Sequence, residues 1–224
     1  MKRIHPLPTA LTLGNFGSGF LAIVLAACSL VHRTGSDGQA APMLIFNTAP
    51  IVLAAGCIFL AMVFDMLDGK VARMTGSACQ FGAEMDSLAD VVSFGIAPAV
   101  ILTASWIGVA PETSSWWSAT MGFGFVYAAC ACLRLARYNV ESTLTAKDSF
   151  FGLPSPAAAG AVVSTFLLLT PGSVCYDALA SLLSGMEPQT QRQVLIKLQA
   201  GYMLIIGLLM VTRIRYPHTT NRML

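Results

Sequence analysis

Five of the eleven acidic residues fall between positions 65 and 90: Asp65, Asp68, Glu84, Asp86 and Asp90. Asp65, Asp68, Gly69 and Ala72 stand at i, i+3, i+4 and i+7, and Gly82, Asp86 and Asp90 at i, i+4 and i+8. In helices, each set shares one face. A glycine-containing connection over 74–81 would turn the chain so that the two faces meet and four carboxylates, Asp65, Asp68, Asp86 and Asp90, converge. Glu84 falls off that face and reads as solvated. Carboxylates gathered in this way repel one another and lose hydration, so they need protons or cations. Lys70 and Arg73 are the only bases nearby in the sequence. Oxygen donors without His or Cys suit hard divalent ions, Mg²⁺ or Mn²⁺. Two such ions shared by four carboxylates make the clamp used in phosphoryl transfer. Gly69 and Ala72, on the face of the acids, leave room against the backbone for a bulky ligand or for a second helix.

The elements that must position these groups are membrane helices. Hydrophobic residues make up 55% of the 224 and charged residues 11%, against roughly 25% charged in a soluble domain. A net charge of +2 is too small for a nucleic-acid binder working through phosphate neutralisation. Stretches 4–32, 38–64, 91–111, 113–133 and 149–176 carry no Asp, Glu, Lys or Arg, and each can hold the ~20 apolar residues that cross a bilayer. With a sixth stretch interrupted by Lys197, the expected spans are 12–32, 43–64, 86–108, 116–136, 154–172 and 194–213. The expected fold is all-α, a polytopic bundle of about six transmembrane helices forming a single membrane domain over 1–224. Segment 171–193 is expected to be an extramembrane loop with a short amphipathic piece.

Basic residues set the expected orientation. With the N-terminus cytoplasmic, the inner segments hold Lys2, Arg3, Lys70, Arg73, Arg134, Arg137, Lys147, Arg213, Arg215 and Arg222, and the outer ones Arg33, Arg192 and Lys197. That asymmetry places both termini and the acidic cluster on the cytoplasmic side of the cell membrane.

The pattern Asp65-x2-Asp68-Gly69-x2-Ala72-Arg73-x8-Gly82-x3-Asp86-x3-Asp90 resembles the complete signature of the CDP-alcohol phosphatidyltransferases. Specified positions at roughly one in twenty each make a chance match on the order of 10⁻¹⁰ per window. LPTALTLGNFGSG near the start also resembles the first helix of that family, although Pro8 is followed by Thr9 where the family usually has Asn. The resemblance implies a six-helix membrane fold, a homodimer, and transfer of a phosphatidyl group from a CDP-linked lipid to an alcohol. It implies that Asp65, Asp68 and Asp86 are metal ligands, with Asp90 a shared ligand or the general base. Gly69 and Ala72 match positions that make room for the cytidine nucleotide. Arg73 matches a basic position near the phosphates, where a bidentate guanidinium is apt. Gly82 matches a position of close packing behind the site.

Three further segments resemble the phosphatidylserine synthase branch: DSLADVVSFGIAPA from Asp86, LRLARYN from Leu133 and FFGLPSPAAAG from Phe150. They imply CDP-diacylglycerol and L-serine as substrates. The serine carboxylate needs a cation, and Arg134 and Arg137, at i and i+3, are candidates; the alternative makes them positive-inside anchors in the headgroups. Asn139 is a further acceptor-binding candidate or an ordinary helix terminator, and the prolines of GLPSP an ordinary start to span five. The Ser93 hydroxyl either lines the site or bonds a backbone carbonyl. Two rival functions remain at this level. One keeps the chemistry with glycerol 3-phosphate or an inositol phosphate as acceptor. The other, a divalent-cation transporter, would need polar groups continued across the membrane, and the outer halves of the spans are nearly charge-free.

Overall fold

The computed structural model describes residues 6–34, 48–76, 80–107, 116–144, 150–170, 173–212 and 215–216. Helix α1 spans Pro6–Thr34, α2 Thr48–Met74 and α3 Gln80–Asp90. A π-helical segment, Val91–Ile96, joins α3 without a break to α4, Ala97–Ile107. Then follow α5 (Trp116–Leu144), α6 (Ser155–Leu168), α7 (Val174–Leu182) and α8 (Pro188–Val211). A two-residue antiparallel pairing of β1, Phe150–Phe151, with β2, Arg215–Tyr216, is the extended structure among the described residues.

Among the described residues, five helical stretches are long and apolar enough to cross a membrane: Pro6–Ser29, Pro50–Met74, Gln80–Ser105, Ala119–Val140 and Thr190–Val211. The chain is a multi-pass membrane protein. α6, expected as a span over 154–172, is only 14 residues long, about 21 Å at helical rise, against the ~30 Å of a hydrocarbon core. Segment 171–193 holds α7 and the start of α8 rather than a plain loop.

The bundle is packed with small and polar groups inside and large apolar groups outside. On α1, Thr12, Asn15, Ser18, Ala22, Ala26 and Ser29 are buried, while Leu13, Phe16, Phe20 and Leu21 are exposed. In lipid no hydrophobic force drives such side chains inward, so small residues that let backbones approach decide which face packs. α1 lies along α2, and their shared core is rich in alanine: Ala22, Ala26, Ala54, Ala55 and Ala61. A second cluster joins α5 to α8 around Tyr127, Ala131, Met203 and Met210.

α1 approaches the π segment most closely at Gly19, where a Cβ would overlap the Ser93 side chain and lie 2.6 Å from Ser93 Cα. Tyr127 Oη of α5 donates to the Phe94 carbonyl at 3.0 Å from the other side, so this irregular turn is held between two helices. Gly152, at φ +78°, turns the chain into α6, and Pro154 precedes its first residue. Leu153 N–H donates to Leu209 O, and β1 pairs with β2. The start of α6 and the end of α8 therefore meet at one end of the bundle.

Gly19→Ala should lower thermal stability in detergent by about 1–3 kcal/mol, the usual cost of forcing extra volume into a close contact. Gly17→Ala, with nothing within 4 Å of the added carbon, should cost nothing, since alanine is the better helix former. Thermal melts of the two variants followed by circular dichroism check this contrast.

Candidate active site

The helices run past the charge-free stretches that marked the spans. α2 continues to Met74 instead of stopping near 64, α3 starts at Gln80 instead of 86, and α5 extends to Leu144 instead of 136. Charge spacing reports where hydrocarbon ends, whereas helical hydrogen bonding continues into the polar region. The overhanging turns of α2 carry Asp65 and Asp68, while Asp86 and Asp90 of α3 lie within the expected third span. α2 ends as expected: Thr75 Oγ1 donates to Val71 O at 2.8 Å and Gly76 takes φ +59°, a left-handed conformation that glycine adopts without a Cβ penalty.

Asp65 and Asp68 on α2 and Asp86 on α3 each present a carboxylate oxygen, and the three oxygens lie within 4.8 Å of one another. At an effective dielectric of ~20, each ionised pair at that separation repels by about 3 kcal/mol or more. Three pairs together rival the whole stability of a typical domain, so the trio is intolerable as three bare anions. Asp68 Oδ2 and Asp86 Oδ1 are buried with no hydrogen-bond partner. Orphaned carboxylate oxygens converging from two helices fit a hard divalent cation, whose ligands are oxygens. The Asp65–Asp68–Asp86 group can hold a divalent metal.

Asp90 stands beside this trio, one turn beyond Asp86, and is buried. It interacts electrostatically with Asp65, Asp86 and Asp68. The expected convergence of four acids thus resolves into a close set of three and a fourth with a different partner, because Asn15 Nδ2 of α1 donates to Asp90 Oδ1 at 3.1 Å. Asn15 is wholly buried, and its own Oδ1 has no partner. Its backbone carbonyl accepts from Ser93 Oγ at 3.0 Å, so the Ser93 hydroxyl bonds a backbone carbonyl, but one on a neighbouring helix. Thr12, one turn before Asn15, lies beside Asp68.

Arg134 on α5 is half-buried and feels the charges of Asp90 and Asp65. Its Nη1 donates to Ser155 Oγ of α6, and its Nε is buried without a partner. That inward position differs from a headgroup anchor. Arg137 is half-buried one turn further on. Asn139 Nδ2 donates to Ser87 Oγ at 3.0 Å and its Oδ1 accepts from the same hydroxyl at 3.2 Å, which ties α5 to α3. Around Gly69 an added Cβ would meet nothing within 4 Å, so the backbone of α2 is open where the sequence suggests room for a ligand. Ala72 and Gly82 are half-buried, and Arg73 and Glu84 are exposed.

Sequence reasoning missed Asn15, Thr12 and Ser155. A signal for the first two was present: a buried-face spacing of Thr12, Asn15, Ser18 and Gly19 inside a charge-free run.

A family model described as CDP-alcohol phosphatidyltransferase matches residues 6–212. The chain belongs to the CDP-alcohol phosphatidyltransferase family. Among related members, a Helicobacter pylori protein named CDP-diacylglycerol–serine O-phosphatidyltransferase is 36% identical over 167 residues, 75% of this chain and 61% of that protein. A protein of the same name from Methanocaldococcus jannaschii is 34% identical over 222 residues, 99% of this chain and 79% of the relative. An archaetidylserine synthase from Methanothermobacter thermautotrophicus is 35% identical over 172 residues, 72% of this chain and 58% of that protein. The chain thus spans about three fifths of the length of the Helicobacter relative it matches.

In this member of the family, Asp86→Asn should weaken Mn²⁺ binding by about tenfold or more, since losing even an outer support of a metal ligand typically costs 10–100-fold. Titration of the purified protein with Mn²⁺, followed by electron paramagnetic resonance, measures this. Glu84→Gln, off the acidic face, should leave the titration unchanged.

Proposed function

We propose that this protein transfers the phosphatidyl group of CDP-diacylglycerol to the hydroxyl of L-serine, giving phosphatidylserine and CMP. The observation that carries the proposal is the juxtaposition of the Asp65–Asp68–Asp86 trio with Asp90 and with an inward-turned Arg134. The names of the Helicobacter and Methanocaldococcus relatives point to the same acceptor. The matching domain would occupy the whole chain, 1–224.

Two divalent ions, Mg²⁺ or Mn²⁺, held by Asp65, Asp68 and Asp86 with Asp90 as a shared ligand, would neutralise charge on the pyrophosphate of the CDP-lipid when bound. The open backbone at Gly69 and the small Ala72 admit the cytidine nucleotide. Arg73 lies at the end of α2, where its guanidinium can accompany the phosphates, and Gly82 keeps α3 close behind. Asp90 accepts the proton of the serine hydroxyl. The serine oxygen then bonds to the phosphorus that carries the lipid glycerol, the bond from that phosphorus to the CMP oxygen breaks, and CMP departs with the electron pair. Arg134 offers the buried positive charge that the serine carboxylate needs, with Arg137 and Asn139 completing the acceptor side. Helix positioning contributes by holding nucleophile and phosphorus in line.

Orientation follows from the charge asymmetry read in the sequence: active site and both termini toward the cytoplasm, in the cell membrane, with a homodimer as the assembly. Lys2, Arg3, Lys147, Arg213 and Arg222, which enter that count, lie outside the described residues.

The deciding assay supplies purified protein with CDP-diacylglycerol and, separately, L-serine, glycerol 3-phosphate or inositol phosphate. CMP release that depends on serine alone is the expected result; release with a phosphorylated alcohol would transfer the proposal to that acceptor, and Mn²⁺ flux into proteoliposomes without CDP-lipid would replace it by transport. Asp90→Asn should reduce turnover by about 10²–10⁴-fold, the span of general base catalysis, while CDP-lipid binding stays within about threefold of the native protein. Near-native turnover in that variant would remove Asp90 from the base role.

A further inference from the structure

We infer that Asn15 is a positioning residue for Asp90, fixing the direction of its carboxylate within the field of the other acids. The inference rests on the base role proposed above for Asp90. A carboxylate on a helix turns about two side-chain torsions, and Asp90 is pushed by Asp65, Asp86 and Asp68 together. Nothing in that repulsion selects one orientation; it favours only distance. The Asn15 amide opposes it with a directed contact, Nδ2 to Oδ1 at 3.1 Å. Because a carboxylate is planar, holding one oxygen also fixes where the other points. With Asp90 ionised, as its role as base requires, the carboxylate only accepts, and Asn15 presents its NH₂ to it. A hydrogen bond to a charged acceptor is roughly twice as strong as a neutral one.

Asn15 is itself held. It is wholly buried, its carbonyl accepts from Ser93 Oγ at 3.0 Å, and one turn later Gly19 sits against the backbone of Ser93. Two successive turns of α1 are thus locked to the π segment that begins at the residue after Asp90. π-helical turns recur at functional sites. Here the turn carries Ser93 onto α1 while Asp90, three residues earlier, reaches the same helix at Asn15. A purely structural asparagine would need only the Ser93 contact, which any residue's carbonyl can make. The side-chain amide is spent on Asp90.

The test compares native protein with Asn15→Ala and with Asn15→Ser, whose hydroxyl stops one bond short of Asp90 but keeps the site polar. Kinetics use whichever acceptor alcohol supports CMP release by the native protein. A failure of serine dependence then overturns the acceptor assignment and leaves the Asn15 comparison intact. Both variants should lose about 10–100-fold in kcat, the usual cost of removing the support of a site group. KM for CDP-diacylglycerol and for the acceptor should stay within about threefold at saturating Mn²⁺, and Mn²⁺ affinity by electron paramagnetic resonance should fall by less than kcat does, since Asp90 is only one shared ligand beside Asp65, Asp68 and Asp86. If Asn15→Ala does not yield folded protein, Asn15→Ser alone decides. A kcat within about twofold of native in a folded variant would overturn the inference. So would an equal loss of Mn²⁺ affinity, which would make Asn15 a support of the metal ligands instead.

Discussion

The repulsion among Asp65, Asp68 and Asp86 is the constraint around which this bundle is arranged. Carboxylate oxygens within 4.8 Å of one another are costly anywhere, and more so at the ends of membrane helices. Natural selection for stability alone would not retain them. Packing must therefore hold them together against their tendency to part, and the structure shows how. α2 ends in a turn with Gly76 in the left-handed region, α1 lies along α2, and Asn139 clamps α5 to α3 through Ser87. Such a frame is one that a cation of high charge density can complete.

All contacts at the site come from the same end of the bundle. Asn15 near the start of α1 meets Asp90 of α3, Ser87 of α3 meets Asn139 near the end of α5, and Arg134 of α5 meets Ser155 at the start of α6. An up-and-down bundle delivers this automatically, since the start of one helix lies beside the end of the next. The contact of Leu153 with Leu209 brings the end of α8 to the same end. The shortness of α6 does not disturb this arrangement, because only its first turn takes part.

Much of this was legible in the sequence, and the side-chain contacts that were not share a cause. Helix existence and the faces carrying Asp65, Asp68, Asp86 and Asp90 followed from periodicity, a local property that survives any packing. The inward turn of Arg134 did not follow, because two arginines at i and i+3 near a membrane boundary look alike whether they face lipid headgroups or acids. Asn15 was harder still. A single amide in an apolar run is distinguished only by its partner, 75 residues away in the chain. The expected spans are shorter than the helices for a different reason: the loss of charge-free sequence marks a change of solvent, and α2, α3 and α5 stay helical beyond it, with the connection between α2 and α3 falling within the expected 74–81.

Those overhanging turns also explain why the site lies where it does. A lipid substrate keeps its acyl chains in hydrocarbon and its pyrophosphate at the headgroup level, so a protein acting on it needs rigid polar elements at that depth and cannot build them from loops alone. Continuing α2 to Met74 and starting α3 at Gln80 carries helical rigidity through the boundary. Asp65, Asp68 and Asp86 are then fixed on hydrogen-bonded backbone where water and lipid headgroups compete for every polar contact. Asp90 is buried, as Asp68 is, and its protein partner is Asn15. The gradient from exposed Gly69 and Arg73 to buried Asp90 follows the direction in which a headgroup would enter. Asp65 and Asp86 are half-buried and Asp68 is buried, and together they can offer a divalent cation oxygens from both helices.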